Sequence, residues 1–352
     1  MDSTNTPGDC RGERLKIDFL GLPLQERRIY FTQVAIRRNL SPVILEKDFW
    51  VCWLLGLLFE SKFSDSLVFK GGTSLSKVFG VIDRFSEDID LSLSPEFLGL
   101  PDAGTTRNQA NKWMNKAEQA CCTAVEAQIL PYLETVATES IGSVVATRFE
   151  YIIDPSTQSP VILFHYPSTQ PSGFDYIKRY VKLEFGSLTD QQPTGHHPIR
   201  PWIADELPNA FEDWACDVVA LELDRTFWEK ATILHAEYHR PANKATPDRF
   251  SRHYADTAAL SDHPKAREAQ SNDSLRDRVV EWKSHFFGSS WANYNQAKPG
   301  SFRLVPSAER KSALRRDYQA MRDMYLVEPL DFDVVIEKLT LMENRINRVD
   351  HA

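Results

Sequence analysis

Two aspartates, Asp88 and Asp90, are the residues of this sequence best suited to metal-dependent chemistry. They lie in RFSEDIDLSLSP, where carboxylate and apolar residues alternate with a period of two, as in a half-buried strand. Residues two apart on a strand project from the same face, so the two carboxylates are expected side by side. Adjacent carboxylates repel each other unless a cation neutralises them, and hard oxygen ligands suit Mg²⁺ or Mn²⁺. The pair therefore predicts a site for a divalent cation.

A Gly-Gly turn precedes this pair in the segment FKGGTSLSKVFG. Gly71 and Gly72 separate a short β-rich run from residues with helical spacing. Because glycines lack side chains, backbone N–H groups and the hydroxyls of Thr73 and Ser74 can approach a phosphate there. A lone Gly-Gly is usually a turn, and a lone DID is usually solvated strand surface. In this order and spacing the two motifs together indicate a metal-dependent phosphate-transfer site.

The elements around these motifs define the expected fold. Helices are predicted from Pro23 to Asn39, from Ser41 onward and from Asn108 to Thr135. Strand patterns then dominate to about residue 203, and five helical blocks follow from about Ala215. We therefore expect an α+β fold, in which a mixed sheet flanked by helices is followed by a helical C-terminal domain. The predicted boundaries are 1–66 for the N-terminal helices, 67–205 for the core and 206–352 for the helical domain.

The composition excludes several classes of protein. The 352 residues are 42% hydrophobic and 26% charged, which are globular values, so extensive disorder and collagen-like architecture are excluded. The net charge of −8 argues against a nonspecific coating of DNA, but one local basic patch would suffice for a nucleic-acid substrate. The longest apolar run, Phe49 to Phe59, is too short to span a membrane, the N-terminus lacks a secretory signal, and five cysteines cannot all pair. We expect a cytoplasmic protein without a membrane partner.

Four segments carry a resemblance to a known family. They are FKGGTSLSKVFGVIDRFSEDIDLSL, the upstream LEKDFWV, LDRTFWEKATILHAE and RHYADTAAL. The first is similar to the minimal nucleotidyltransferase superfamily, which places a Gly-Gly/Ser or Gly-Gly/Thr turn one helix ahead of a DxD strand, although the gap of 14 residues between Thr73 and Asp88 is long for that pattern. With the others, the chain resembles the AbiEii/AbiGii toxin family of nucleotidyltransferases from about Ser41 to about Leu260. No motif after about residue 265 contributes.

The resemblance implies a nucleotidyltransferase-like sheet and roles for residues at matching positions. Gly72 and Thr73 correspond to the turn that grips the phosphates, next to Gly71 and Ser74. Asp88 and Asp90 correspond to the pair that binds the metal ions.

Three further positions are open to two interpretations each. Lys230, in TFWEK, matches a family lysine that faces the nucleotide phosphates, but a lysine stem over apolar surface commonly keeps its head in water. Asp256, in RHYAD, matches the aspartate of the final motif, but Arg252 and Asp256 also have the spacing of a surface ion pair. Glu184, in YVKLEFGSL, resembles the superfamily's third carboxylate, but it shares a strand face with Lys182 and could form an ion pair with it. The family match favours the functional interpretation for Lys230, Arg252 and Asp256, and it leaves Glu184 undecided.

The resemblance also implies what the protein does. It would be an enzyme of a toxin–antitoxin or abortive-infection system in phage defence, with a separate antitoxin as partner. It would transfer NMP from an NTP to an RNA, foremost the 3′ end of a tRNA, and so block translation. Two alternatives are a catalytically silent protein that holds a nucleotide or a partner, and an enzyme that adenylylates a protein hydroxyl. The presence of both Asp88 and Asp90 argues against the silent protein.

An RNA acceptor requires a cationic surface, and PSAERKSALRRDYQAMRDM provides a candidate. Four of its residues are predicted to share one helix face: Lys311, Arg315, Tyr318 and Arg322. A solvated helix face explains the pattern equally well. The alternative docking surface lies around Lys178, Arg179 and Lys182.

Overall fold

The computed structural model describes residues 18–101, 107–141, 147–171, 177–208, 210–211 and 214–349. Within these ranges, seven strands form one mixed sheet: β1 (Leu67–Lys70), β2 (Asp88–Leu93), β3 (Arg148–Ile153), β4 (Pro160–His165), β5 (Val181–Gly186), β6 (Thr194–Ile199) and β7 (Cys216–Leu221). Their order across the sheet is β3-β4-β5-β2-β1-β7-β6. Strand β2, which carries the DID motif, is antiparallel to β1 and parallel to β5, so it lies in the middle of the sheet.

The helices flank the sheet or follow it along the chain. The first six are α1 (Leu24–Arg38), α2 (Pro42–Phe59), α3 (Gly71–Lys77), α4 (Arg107–Ala124), α5 (Leu130–Ile141) and α6 (Trp202–Glu206), with a π-helical turn, Val125–Ile129, between α4 and α5. The other six are α7 (Leu223–Tyr238), α8 (Ser251–Leu260), α9 (Pro264–Ala269), α10 (Asp273–Phe286), α11 (Ala308–Ala320) and α12 (Phe332–Ile346). The predicted α+β architecture is confirmed. None of the helices described is long and apolar enough to cross a membrane.

Strand β7 corrects one expectation. The helical pattern predicted from about Ala215 is wrong for residues 216–221, which form a strand between β1 and β6. The run Val218 to Leu221 is short and apolar, and periodicity alone cannot distinguish a buried strand of this length from a helix. The opposite error occurs at Trp202, which was predicted as strand and begins α6. We therefore propose that the sheet domain ends after Leu221 rather than at residue 205.

Two apolar clusters hold the helices in place. The larger one packs α1, α2 and the α4–α5 helix against the sheet, and it includes Ile89 and Leu183 on the face opposite the carboxylates. The second joins α7, α8, α11 and α12, with Trp228 and Leu339 fully buried at its centre. Leu75 of α3 belongs to this second cluster. The helix after the Gly-Gly turn is therefore packed against the C-terminal helices as well as the sheet.

Consecutive charged residues of α2 attach this helix to the elements that carry the motifs. Glu46, Lys47 and Asp48, in LEKDFWV, are all buried. Lys47 Nζ lies 2.5 Å from an oxygen of Glu87, the residue before the DID strand. Asp48 lies 2.7 Å from Nζ of Lys77, the last residue of α3. Since buried charges require partners, these ion pairs fix the positions of both motifs relative to α2.

Candidate active site

A cavity of about 320 Å³ lies between the sheet and the C-terminal helices. Strands β1, β2 and β5 provide one wall, and α7, α8 and α10 provide the other. Its lining includes seven residues predicted from the sequence: Gly71, Gly72, Asp88, Asp90, Glu184, Lys230 and Arg252. Residues far apart in the chain therefore line one cavity. The sheet strands and the C-terminal helices each provide only one of its walls.

The carboxylates of β2 lie on the cavity face of the sheet, whereas Ile89 between them is buried on the other face. Asp90 pairs in register with Lys70 of β1 and with Glu184 of β5, which places the three side chains in one row. Burial and the negative charges of Glu184 and Asp90 raise the pKa of Asp88 to about 6. A divalent cation bound at these carboxylates would offset the burial and the mutual repulsion that raise this pKa.

Glu184 forms the ion pair that the sequence left open. The Lys182 ammonium donates to the Glu184 carboxylate and lies 3.6 Å from Asp154. Across the ranges that the structure covers, no three His, Cys, Asp or Glu side chains are arranged as a ready-made metal site. The residues that fit a cation are therefore Asp88 and Asp90, and Glu184 would have to exchange Lys182 for the metal to join them.

The Gly-Gly turn packs directly against Asp90. Gly71 has φ +82°, and a Cβ there would lie 1.9 Å from Oδ2 of Asp90. A Cβ on Gly72 would lie 2.8 Å from Nη2 of Arg84. Both positions therefore require glycine, the first because of its backbone conformation and both because of the close approach.

The hydroxyls of Thr73 and Ser74 have a different place from the one predicted. Thr73 Oγ1 donates to the backbone oxygen of Asp88 at 2.5 Å, and Ser74 Oγ donates to that of Gly71 at 3.2 Å. Both side chains are buried, and neither lines the cavity. They attach α3 to β2 and to its own first turn, so any phosphate contact at the turn comes from backbone N–H groups.

Asp256 is the centre of a buried group of three charges. Its two carboxylate oxygens accept from Arg84 Nε and Nη2, at 2.7 and 2.9 Å, and from Lys230 Nζ at 2.7 Å. Burial alone would raise the pKa of Asp256, but attraction by Arg84 and Lys230 outweighs it and holds the pKa well below its usual range. Burial lowers the pKa of Lys230, and Asp256 offsets part of that effect. Asp256 therefore positions two cations and does not itself line the cavity.

Sequence reasoning missed Arg84. Its partner Asp256 is 172 positions away, and its only local signal is a basic residue shortly before Asp88. A bridge between Arg84 and Tyr325, flanked by hydrogen bonds of 2.7 and 2.9 Å, holds its loop against the segment before α12. The long gap between the Gly-Gly turn and the DID strand is the loop that makes these contacts.

Arg252 does not form the surface pair that its spacing with Asp256 allowed. It lines the cavity, and its guanidinium has no hydrogen bond or ion pair with any residue that the structure describes; the same holds for the ammonium of Lys70. Lys283, also in the lining, lies 2.5 Å from Glu229. Two side-chain cations without a partner among the described residues therefore share the cavity with the carboxylates of β2, an arrangement suited to a polyphosphate.

The C-terminal segment proposed to bind RNA does not present one free basic face. Arg315 is paired with Asp333, and Arg322 lies beyond the end of α11 and is paired with Glu328. Tyr318 is buried, and its hydroxyl donates to a backbone oxygen at 2.8 Å. Of these four side chains, Lys311 alone has neither an ion pair nor a hydrogen bond among the described residues. The solvated-face interpretation fits this segment better.

We therefore expect the double variant Arg315→Ala, Arg322→Ala to bind RNA as the wild type does. Each arginine that neutralised a phosphate would contribute about one unit to the slope of log affinity against log salt. Because both are engaged by carboxylates, the slope should not change in a filter-binding or anisotropy titration. A slope flatter by about two would show that these ion pairs open and that α11 contacts RNA.

A Gly-Gly turn packed against a carboxylate pair, in a cavity that also holds cations, is the arrangement that the resemblance to nucleotidyltransferases implies. The chain matches the family model described as "Nucleotidyl transferase AbiEii toxin, Type IV TA system" over residues 53–338. The chain belongs to this family of nucleotidyltransferase toxins, and membership implies an NTP substrate and an antitoxin. The match also covers residues after about 265, where no motif could be recognised.

One solved structure extends this result to the fold. The chain is similar to MenT4, a nucleotidyltransferase toxin from Mycobacterium tuberculosis H37Rv, with a TM-score of 0.51 and 15% identity over 94% of this chain and 91% of that one. No curated protein matches the chain by sequence. At 15% sequence identity, the similarity to MenT4 shows only that the two chains share a fold.

Proposed function

We propose that the chain transfers a nucleoside monophosphate from an NTP to the 3′ end of an RNA, with tRNA as the acceptor. The observation that carries the transfer chemistry is the cavity itself, which Asp88 and Asp90 line together with the cations Lys70 and Arg252. The RNA acceptor rests on the family resemblance of the motifs. Nucleotides added to a tRNA 3′ end would block aminoacylation and hence translation, in the cytoplasm and in the context of phage defence.

The reaction exchanges a phosphoanhydride bond of the NTP for a phosphodiester bond to the RNA. The RNA 3′-oxygen forms a bond with the α-phosphorus, the bond from that phosphorus to the β-phosphate oxygen breaks, and pyrophosphate leaves while the hydroxyl proton passes to solvent. Asp88 and Asp90 would hold Mg²⁺ or Mn²⁺, which would polarise the α-phosphate and ease ionisation of the hydroxyl. Lys230 and Arg252 would stabilise the charge that accumulates on the departing pyrophosphate.

Labelling distinguishes this function from its alternatives. Purified protein is incubated with each labelled NTP, total RNA and total protein, and the labelled pool is identified. Label in RNA supports the proposal, label in protein identifies a protein adenylyltransferase, and label in neither indicates a silent binding protein. The Asp88→Asn variant controls for a contaminating activity.

Replacing Lys230 with methionine should slow transfer more than it weakens RNA binding. The ammonium is 8% exposed at the cavity wall, so its loss removes charge where pyrophosphate departs, while Asp256 keeps Arg84 as its partner. We expect kcat to fall by about 10²- to 10³-fold, the size of losing one preorganised donor. Lys230→Arg should not restore it fully, because a planar fork does not replace a point charge. A normal kcat with reduced RNA affinity would instead assign Lys230 to the acceptor.

A further inference from the structure

Phe287, the residue that follows α10, is exposed at the mouth of the catalytic cavity. It is 44% exposed, and no other Phe, Tyr or Trp in the described ranges is classed as exposed. Its neighbour Phe286 is buried with Trp113 in a small apolar cluster that joins α10 to α4. That cluster holds the end of α10 in place, so Phe287 is presented on a fixed support.

Three cavities meet at this ring. Phe287 lines the catalytic cavity, a second cavity of about 720 Å³ and a third of about 390 Å³. The third cavity also shares Lys70 with the catalytic one. The cavity that contains the carboxylates of β2 and the larger second cavity are therefore neighbours, with Phe287 between them.

The second cavity has the chemistry of a base-binding site. Its lining includes amide and hydroxyl side chains and no Asp, Glu, Lys or Arg: Asn111, Ser284, Ser289, Ser290, Asn293 and Asn295. Amides and hydroxyls both donate and accept hydrogen bonds, as the edges of nucleobases require. Cations occur only on the catalytic side, where Lys283 Nζ lies 4.7 Å from the centre of the Phe287 ring. The second cavity, which lacks Asp, Glu, Lys and Arg in its lining, therefore suits a base, and the catalytic cavity suits a phosphate.

We propose that Phe287 and the cavity of about 720 Å³ beyond it bind an unpaired base of the acceptor RNA next to the reacting 3′ end. This inference rests on the proposed RNA acceptor. The NTP has one base and must place its α-phosphate at Asp88 and Asp90, whereas an acceptor chain continues outward through successive nucleotides. Aromatic side chains bind single-stranded RNA by stacking on splayed bases, and stacking tolerates any base.

The test separates acceptor binding from NTP binding and from stability. In Phe287→Ala, we expect the KM for a single-stranded RNA acceptor to rise by about tenfold or more, as for the loss of one base stack. The KM for the NTP and the Tm should stay as in the wild type. Phe287→Tyr should keep most of the acceptor affinity, and Ile36→Ala, at a residue 76% exposed on α1, is the matched surface control.

Binding in the absence of turnover gives a second readout. In an Asp88→Asn background, Phe287→Ala should weaken binding of a single-stranded oligonucleotide about tenfold and leave binding of a blunt duplex unchanged. An unchanged acceptor KM, or a raised KM for the NTP instead, overturns the subsite. If the wild type labels no RNA at all, the proposed function fails with it. If it labels RNA and Phe287→Ala is normal, only the subsite fails.

Discussion

The Asp88→Asn variant is expected to lose nucleotidyl transfer while becoming more stable than the wild type. Loss of the carboxylate removes half of the pair that fits a divalent cation, and we expect transfer to fall by on the order of 10³-fold or more. Asparagine keeps the shape of the side chain, and Ile89 beside it still holds β2 in the sheet. The loss of activity therefore does not come from unfolding. An active variant would show that the assignment of the metal site is wrong.

The gain in stability follows from the direction of the pKa shift. The pKa of Asp88 is raised from 3.8 to about 6, so the folded state binds the proton more tightly than the unfolded state. The ionised carboxylate therefore destabilises the fold increasingly as the pH rises from about 4 to about 6, and the full effect is present at pH 7. Allowing for partial exposure, we expect Asp88→Asn to raise the free energy of unfolding by roughly 2 kcal/mol at pH 7 in EDTA.

Thermal unfolding at two pH values checks this expectation. The difference in Tm between Asp88→Asn and wild type should be clear at pH 7 and small near pH 4. Asp65→Asn, at an exposed aspartate before β1, should show no comparable gain. Added Mg²⁺ or Mn²⁺ should raise the Tm of the wild type and not that of Asp88→Asn, since a ligand that binds only the folded state stabilises it. A gain at both pH values would contradict the electrostatic explanation.

The Asp256→Asn variant is expected to have the opposite effect on stability. Asp256 is 1% exposed, and its removal leaves Arg84 and Lys230 buried side by side without a counter-charge. Breaking a buried ion pair in this way typically costs about 3–5 kcal/mol, so we expect a large fall in the free energy of unfolding, measured by urea denaturation.

Asp262→Asn is the matched control for this second prediction. Asp262 follows α8 and forms an exposed ion pair with Lys338, so its loss should change stability little. A small effect at Asp256 as well would mean that water reaches Arg84 and Lys230 in the variant. The double variant Lys230→Met, Asp256→Asn tests the same explanation. It should be at least as stable as Asp256→Asn alone, because it removes one of the two cations that repel each other.

Local motifs were sufficient to predict that the carboxylates of β2 share one face of the sheet, but not the contacts that distant residues make around the cavity. Asp88 and Asp90 could be placed on one face because a strand alternates its side chains, and Gly71 because a turn at that point needs its conformation. Arg84 could not be found, since its partner Asp256 is set by packing between distant elements. The helical spacing also gave a wrong expectation for Tyr318. It indicated that the ring lies on an exposed face with Lys311 and Arg315, but tertiary packing buries the ring.

The contact between the Arg84 loop and the segment before α12 has a consequence for synthesis of the chain. Backbone hydrogen bonds from Phe85 to Met324 and from Leu326 to Asp83 hold this loop, and they cannot form until residue 326 has left the ribosome. Until then, Arg84 and Asp256 lack the support that fixes them beside the cavity. We therefore expect the Arg84–Asp256 pair to take its place beside the cavity only after the segment around residue 326 has been synthesised and can fold back onto the loop.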